Sequence, residues 1–212
     1  MIRILVADDH TIVREGLKQI LLNTEDLKVA REASNGNEVL QFIREENYDV
    51  IMLDMSMPGR SGIELIKQIK EEKPALRILV LTMHGEEQYA IRAFKAGAQG
   101  YLTKESAPGE LVSAVRKVAT GGMYVSNNLA EKLAFNLSVE TDKLPHEKLS
   151  DREYDVFRRI ANGQTISEIA EALSVSIKTI STHKTRILQK MEMQTQADLI
   201  KYALSHHLLD KQ

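Results

Sequence analysis

Val50-Ile51-Met52-Leu53-Asp54 is the stretch that decides the fold. Four apolar residues run without a polar partner and stop on a carboxylate. A short, continuous apolar run of this kind suits a strand buried on both faces. The first residues of the chain repeat the pattern. Ile2-Arg3-Ile4-Leu5-Val6-Ala7 is apolar and β-branched, and it ends on Asp8-Asp9. If the two runs are neighbouring parallel strands, three carboxylates meet at one edge of a sheet.

Working outward, helical and strand-like spacings alternate. Ile12, Leu17, Ile20 and Leu21 predict a helix over 11–22, and Val39, Leu40 and Ile43 one over 36–46. Ile63, Leu65, Ile66 and Ile69 predict another over 62–72, with further helices over about 86–96 and 107–119. Strands fall at 2–7, 28–33, 49–54, 77–82 and 99–103. Strict alternation of five strands and five helices implies a parallel sheet covered on both faces, an α/β, doubly wound architecture. Right-handed crossovers leave few topologies, and the order 2-1-3-4-5, one of the two common ones, would put the ends of strands one and three side by side.

Gly121-Gly122 stops the fifth helix. Residues 120–146 form a linker with a short helix at about 127–136, and from 147 the chain is all-α. Ser150 and Glu153 make a capping box at the start of a helix over 149–161, where Tyr154, Phe157, Ile160 and Ala161 share a face. A second helix runs 165–173. Ser174-Val175-Ser176 makes a tight turn, and Ser176 caps a third helix over 177–191. In that helix Ile180, Ile187 and Met191 share one face, while Lys178, Ser181, Thr182, Thr185, Arg186 and Gln189 occupy the other. A short helix, a tight turn and a polar, basic second helix form a helix-turn-helix pattern. Without the preceding turn, an ordinary amphipathic helix with a solvated basic face is the preferred reading of that third helix. A last helix covers 195–205.

Composition limits the function. With 43% hydrophobic and 27% charged residues the chain is a folded globular protein. It has no Cys, which excludes thiolate chemistry, disulfides and Cys-ligated metals. The N-terminus is too short and too soon acidic for a signal peptide, and no apolar stretch is long enough to span a bilayer, so a cytoplasmic protein without membrane contact is expected. Net charge is −2. Residues 147–212 carry 10 Lys+Arg against 9 Asp+Glu, a balance too even to decide for or against nucleic acid. The adjacent His206-His207 pair has no neighbouring carboxylate to make it a metal site.

Chemistry concentrates at the strand ends. Asp8, Asp9 and Asp54 suit a hard cation such as Mg²⁺, which prefers oxygen ligands, and the Ser56 carbonyl stands in the loop that follows. Thr82 ends the fourth strand and Lys104 follows the fifth, so a hydroxyl and an ammonium reach the same edge. These are the partners that a phosphoryl group on Asp54 needs. A metal-dependent hydrolase using Asp54 as nucleophile remains open at this point, although Ser56 stands where such enzymes place a second acid.

Asp8-Asp9, Asp54 with Met57-Pro58 and Gly62, Thr82, Tyr101 and Lys104 together resemble the receiver domain of two-component response regulators, over residues 1–119. Leu149-Ser150, Arg152-Glu153, Ile169-Ala170, Leu173 and Thr179-Ile180 with His183 look like a LuxR-type DNA-binding domain, over 147–212. The whole chain thus resembles a NarL/FixJ-type response regulator, with a flavodoxin-like receiver. The resemblance implies that Asp54 is phosphorylated by a sensor histidine kinase, with Mg²⁺ on Asp8, Asp9, Asp54 and Ser56. It implies that Thr82 and Tyr101 switch toward the phosphoryl group and that Lys104 pairs with it. It further implies a homodimer on phosphorylation and double-stranded DNA as partner. Lys178, Thr179, Ser181, Thr182, Lys184, Thr185 and Arg186 are the DNA-contacting candidates. Three positions depart from the family. Glu105 stands where many receivers have Pro, bulky Met83 where a small residue is usual, and Ser181 where Lys is common.

Overall fold

The computed structural model describes residues 1–58, 62–83, 87–126, 129–131, 144–206 and 208–209. The chain divides into two compact units, Met1–Leu137 and Ser138–Gln212.

The first unit carries strands β1 (Ile2–Ala7), β2 (Leu27–Ala33), β3 (Val50–Asp54), β4 (Arg77–Thr82), β5 (Gly100–Thr103) and β6 (Tyr124–Val125). Between them run helices α1 (Thr11–Leu22), α2 (Gly36–Glu45), α3 (Gly62–Glu72), α4 (Glu87–Ala96) and α5 (Ala107–Ala119). The sheet is parallel, in the order β2-β1-β3-β4-β5-β6. The expected order is therefore present, with one strand more than the five expected. Tyr124–Val125 extends the sheet beside β5, inside the span assigned to the linker. Two residues are too few to show alternation. The Tyr124 hydroxyl donates to Glu110 of α5 at 2.5 Å, which ties the added strand to the preceding helix.

Strand alternation decides which helix each side chain meets. Ile4, Val6, Val50, Met52, Leu79, Leu81 and Leu102 form one core with Leu17 and Leu21 of α1 and Leu111, Ala114, Val115 and Val118 of α5. The alternate set, Leu5, Ala7, Ile51, Leu53, Ile78 and Val80, is also buried and faces the side carrying α2, α3 and α4. Every residue of β3 is buried, as its unbroken apolar run requires. Ile12 departs from expectation, being 88% exposed. Five positions separate it from Leu17, which turns it about 140° from the buried line of α1 at 100° per residue.

α5 is stopped two residues beyond its end by Gly121, whose φ of +88° favours a residue without Cβ. The described residues of the second unit hold a 3-10 turn, Pro145–Lys148, followed by α6 (Asp151–Ala161), α7 (Ile166–Ala172), α8 (Ile177–Lys190) and α9 (Gln196–Ser205). Ser150 and Glu153 form the expected capping box, and Thr165–Glu168 and Thr195–Asp198 form two more. α6 packs on α8 and α9, and α7 on α8. Tyr154, Phe157, Ile160, Ile169, Leu173, Ile180, Ile187, Met191 and Leu199 are all buried. His146 joins this core, with Nδ1 2.8 Å from the Tyr202 hydroxyl. The helix expected at about 127–136 lies largely outside the described residues.

Gly100 of β5 lies close under both Leu79 of β4 and Val118 of α5. A Cβ there would lie 2.6 Å from Leu79 Cδ1 and 2.9 Å from Val118 Cγ2. Gly100→Ala should therefore destabilise the first unit by about 1–3 kcal/mol, the usual cost of overpacking. Urea denaturation followed by circular dichroism checks this, and an unchanged midpoint would mean that the contact relaxes freely.

Candidate functional site

Parallel register brings the strand ends level. Ala7 pairs with Leu53, Asp54 with Leu81, and Thr82 with Thr103. The residues that follow β1 and β5, and those that end β3 and β4, consequently share one edge, at the switch point of a doubly wound sheet. The Lys104 amide donates to the Thr82 carbonyl at 2.7 Å and the Met55 amide to the Leu81 carbonyl at 3.3 Å, which continues the ladder into the loops.

The Lys104 ammonium lies 2.6 Å from Asp8 Oδ2 and 2.9 Å from Asp54 Oδ2. Both carboxylates are buried, so one cation bridges two anions away from water. The other oxygens are held by backbone. The Ser56 amide donates to Asp54 Oδ1 at 3.2 Å, and the His10 amide to Asp8 Oδ1 at 2.8 Å. Arg14, on α1, donates to the Asp8 carbonyl at 2.7 Å and fixes the loop after β1. Burial lifts the Asp54 carboxyl above its ordinary value, against the pull of Lys104. Burial by itself would lower the Lys104 ammonium; Asp54 and Asp8 outweigh that and hold it above its ordinary value.

Asp8, Asp9, His10 and Asp54 offer ligand atoms that all lie within 4.8 Å of one another. Three carboxylates with a half-open Asp9 make an oxygen-rich donor set that fits a hard divalent cation. His10 is the member that sequence reasoning missed. Its Nδ1 lies 2.9 Å from Asp9 Oδ1 and 3.3 Å from Asp8 Oδ1. The only signal was its position directly after the two acids. Ser56 meets the site through its amide; the expected contribution was its carbonyl.

Thr82 is buried at the same edge. Tyr101 is buried too, its ring centroid 6.5 Å from that of Phe94 in α4, so the phenol sits inward against that helix. Met83, next to Thr82, is 63% exposed.

In the second unit, Ser174 makes the turn between α7 and α8 with φ of +52°. Its amide donates to Glu171 and that of Val175 to Ala170, which closes α7 before α8 starts. The Ser176 side chain accepts from the Thr179 amide and caps α8, as expected. Lys178, Thr179, Ser181, Thr182, Thr185 and Arg186 are exposed. Lys184 is not, for its ammonium donates to Gln196 of α9 at 2.8 Å. Lys190 is drawn away to Glu153 at 2.6 Å. Among the described residues no ion pair engages Lys178 or Arg186. Two cations thus remain for an external anion on α8.

Comparison with known proteins agrees over both units. Residues 4–116 match the response regulator receiver domain, and residues 147–203 match the bacterial regulatory proteins of the luxR family. The response regulator UvrY of Escherichia coli (strain K12) is 36% identical over 209 residues, covering 98% of this chain and 96% of that protein. The oxygen regulatory protein NreC of Staphylococcus epidermidis (strain ATCC 12228) is 39% identical over 216 residues, covering 98% and 99%. RcsB from Salmonella enterica serovar Typhimurium, solved on promoter P1flhDC with the phosphomimetic BeF3−, superimposes with a TM-score of 0.73 at 29% identity, covering 96% of this chain and 98% of that one. No described helix is long and apolar enough to cross a membrane.

The Asp54 environment has a consequence for stability. A carboxyl whose folded pKa lies above its unfolded one destabilises the fold; the penalty is full above the folded pKa and relieved as pH falls below the unfolded one. Asp54→Asn should therefore raise the urea midpoint of the first unit at pH 7 and flatten its dependence on pH above about 4, the ordinary carboxyl value. A lowered midpoint would mean that the pair with Lys104 outweighs the burial.

Proposed function

This chain belongs to the response regulators that join a receiver domain to a LuxR-type DNA-binding domain, and from that premise we propose that Asp54 accepts a phosphoryl group whose charge alters the chain's grip on DNA. The observation that carries this is the bridging of Asp8 and Asp54 by Lys104, a nucleophilic carboxylate held beside a cation with nowhere else to go. In the reaction an Asp54 carboxylate oxygen attacks phosphorus, the bond from phosphorus to the donor breaks, and the donor leaves with its electron pair. For a phosphohistidine of a sensor kinase, the donor implied by the family, the leaving group is an imidazole that picks up a proton.

Lys104 is placed to exchange Asp54 for a phosphoryl oxygen without leaving Asp8. The Ser56 amide, already on Asp54 Oδ1, orients the acceptor. The Thr82 hydroxyl and the inward Tyr101 phenol are the groups that would reorganise around the new charge. Asp8, Asp9 and Asp54, with the Ser56 carbonyl, would hold Mg²⁺, which when bound neutralises charge on the phosphoryl oxygens.

At the other end α8 enters the major groove, with Lys178, Thr179, Ser181, Thr182, Thr185 and Arg186 toward the DNA. Lys184 takes part if it releases Gln196. The boundaries follow the same reading: receiver 1–119, linker 120–146, DNA-binding domain 147–212. Two copies with their α8 helices one turn of DNA apart would read an inverted repeat. Leu204 on α9, 58% exposed, offers an apolar contact for the second copy. The regulator works in the cytoplasm, where sensor kinase and promoter are both in reach.

Incubation with a labelled acyl phosphate and Mg²⁺ should label wild type and leave Asp54→Asn unlabelled, with chelation abolishing the reaction. Label retained in the Asn variant would move the acceptor elsewhere. On DNA, Lys178→Gln should reduce the log–log salt dependence of binding by about 0.9 per lost phosphate contact. An unchanged slope in a salt titration would remove Lys178 from the phosphate contacts.

A further inference from the structure

The threonine hydroxyls of α8 are already engaged within the helix. Thr182 Oγ1 donates to the Lys178 carbonyl at 2.9 Å, and Thr185 Oγ1 to the Ser181 carbonyl at 3.1 Å. A threonine whose hydroxyl turns back onto the carbonyl four residues earlier directs its other branch, the methyl, away from that bond. Both residues are exposed. At 100° per residue Thr182 and Thr185 lie within about 40° of Lys178, on the side opposite buried Ile180 and Ile187. The middle of the solvent face of α8 therefore presents two methyl groups between one cation and the polar Gln189.

This pattern suits one kind of base edge. Guanine is read by Arg or Lys donating to O6 and N7, whereas a side-chain methyl reads the C5-methyl of thymine. Lys178 stands at the start of the helix, Lys184 is tied to Gln196, and the position between them carries Ser181. Arg186, exposed and about 80° round the helix from Lys178, flanks this line and can read guanine or phosphate there, but the line through Thr182 and Thr185 itself carries no guanine-reading side chain.

We infer that α8 recognises its site through thymine C5-methyl groups packed against the methyls of Thr182 and Thr185, so that A·T pairs face these two residues in each half-site. The inference rests on α8 being the recognition helix, and it adds which base those positions select and by which atoms. A buried methyl contributes on the order of 0.8 kcal/mol, about fourfold in affinity.

The test uses the full chain and a duplex enriched by it from a random-sequence pool. Each thymine of the half-site is replaced in turn by deoxyuridine, which deletes only the C5-methyl. Separately, Thr182→Ser and Thr185→Ser delete only the protein methyl and keep the hydroxyl. Wild type should lose about fourfold in affinity at one or two thymines. Each Ser variant should lose a similar factor on the unmodified duplex and become insensitive to deoxyuridine at one of them. If wild type binds every deoxyuridine duplex as well as the parent, or if both Ser variants keep full sensitivity, methyl readout is wrong while α8 stays the recognition helix. If no duplex is enriched, or if the enriched one binds Lys178→Gln and the double Ser variant as tightly as wild type, the placement of α8 in the groove falls as well. The deoxyuridine arm involves no protein variant, so it stands whether or not the substitutions disturb folding.

Discussion

One ammonium between two buried carboxylates is the interaction on which the rest of the first unit depends. Lys104 lies 2.6 Å from Asp8 and 2.9 Å from Asp54, and neither acid sees solvent. Three charges out of water cost several kcal/mol each before their attraction is counted, and removal of Lys104, which would leave two buried anions uncompensated, should cost about 3–5 kcal/mol. The fold supports that cost with geometry. β1 and β3 are adjacent because the order reverses between them, β4 and β5 follow, and the register sets all four ends level. The cluster is also unbalanced, with two anions to one cation and Asp9 beside them. Burial wins over Lys104 at Asp54, whose carboxyl stays above its ordinary value. The site is thereby poised for chemistry that redistributes charge at Asp54, which is what the proposed phosphoryl transfer does.

The second unit follows a different logic. Its helices are short, and three capping boxes satisfy the amide groups at the starts of α6, α7 and α9. The rings of Tyr154 and Tyr202 pack with His146, and Phe157 packs against both tyrosines, which fastens the entering chain to the helical core. Internal pairing also selects which cations face outward. Lys190 pairs with Glu153 and Lys184 with Gln196, so among the described residues Lys178 and Arg186 are the exposed cations of α8 without an ion pair, alongside Thr179, Ser181, Thr182, Thr185 and Gln189. On the proposed reading, this sparse charge leaves more of the sequence recognition by α8 to apolar contact with base edges.

Much of this was legible in the residues because it depends on local pattern. The apolar run ending at Asp54, the alternation of periods and the Ser150–Glu153 box each name an element and its boundary. What escaped depends on angle or distance. Ile12 is apolar and lies in a helix, yet the angle from Leu17 turns it outward. Tyr124–Val125 is too short to carry a strand signal and is held by β5 and Glu110. His10 is adjacent to the acids in sequence, but nothing in the pattern says that its ring turns back toward them. The resemblance to response regulators supplied the strand order and the roles of Thr82, Tyr101 and Lys104. Spacing alone would have left a hydrolase open. The pairings of Lys184 and Lys190 join residues 12 and 37 positions apart, beyond the reach of any periodicity.

The account stands or falls on whether charge at Asp54 reaches the DNA-binding helices. The direct measurement is fluorescence anisotropy of the full chain on its enriched duplex, before and after treatment with acyl phosphate and Mg²⁺, with Asp54→Asn in parallel. The account predicts that treatment tightens binding by wild type and leaves the Asn variant where untreated wild type stands. Equal affinities for phosphorylated wild type and Asp54→Asn would contradict it.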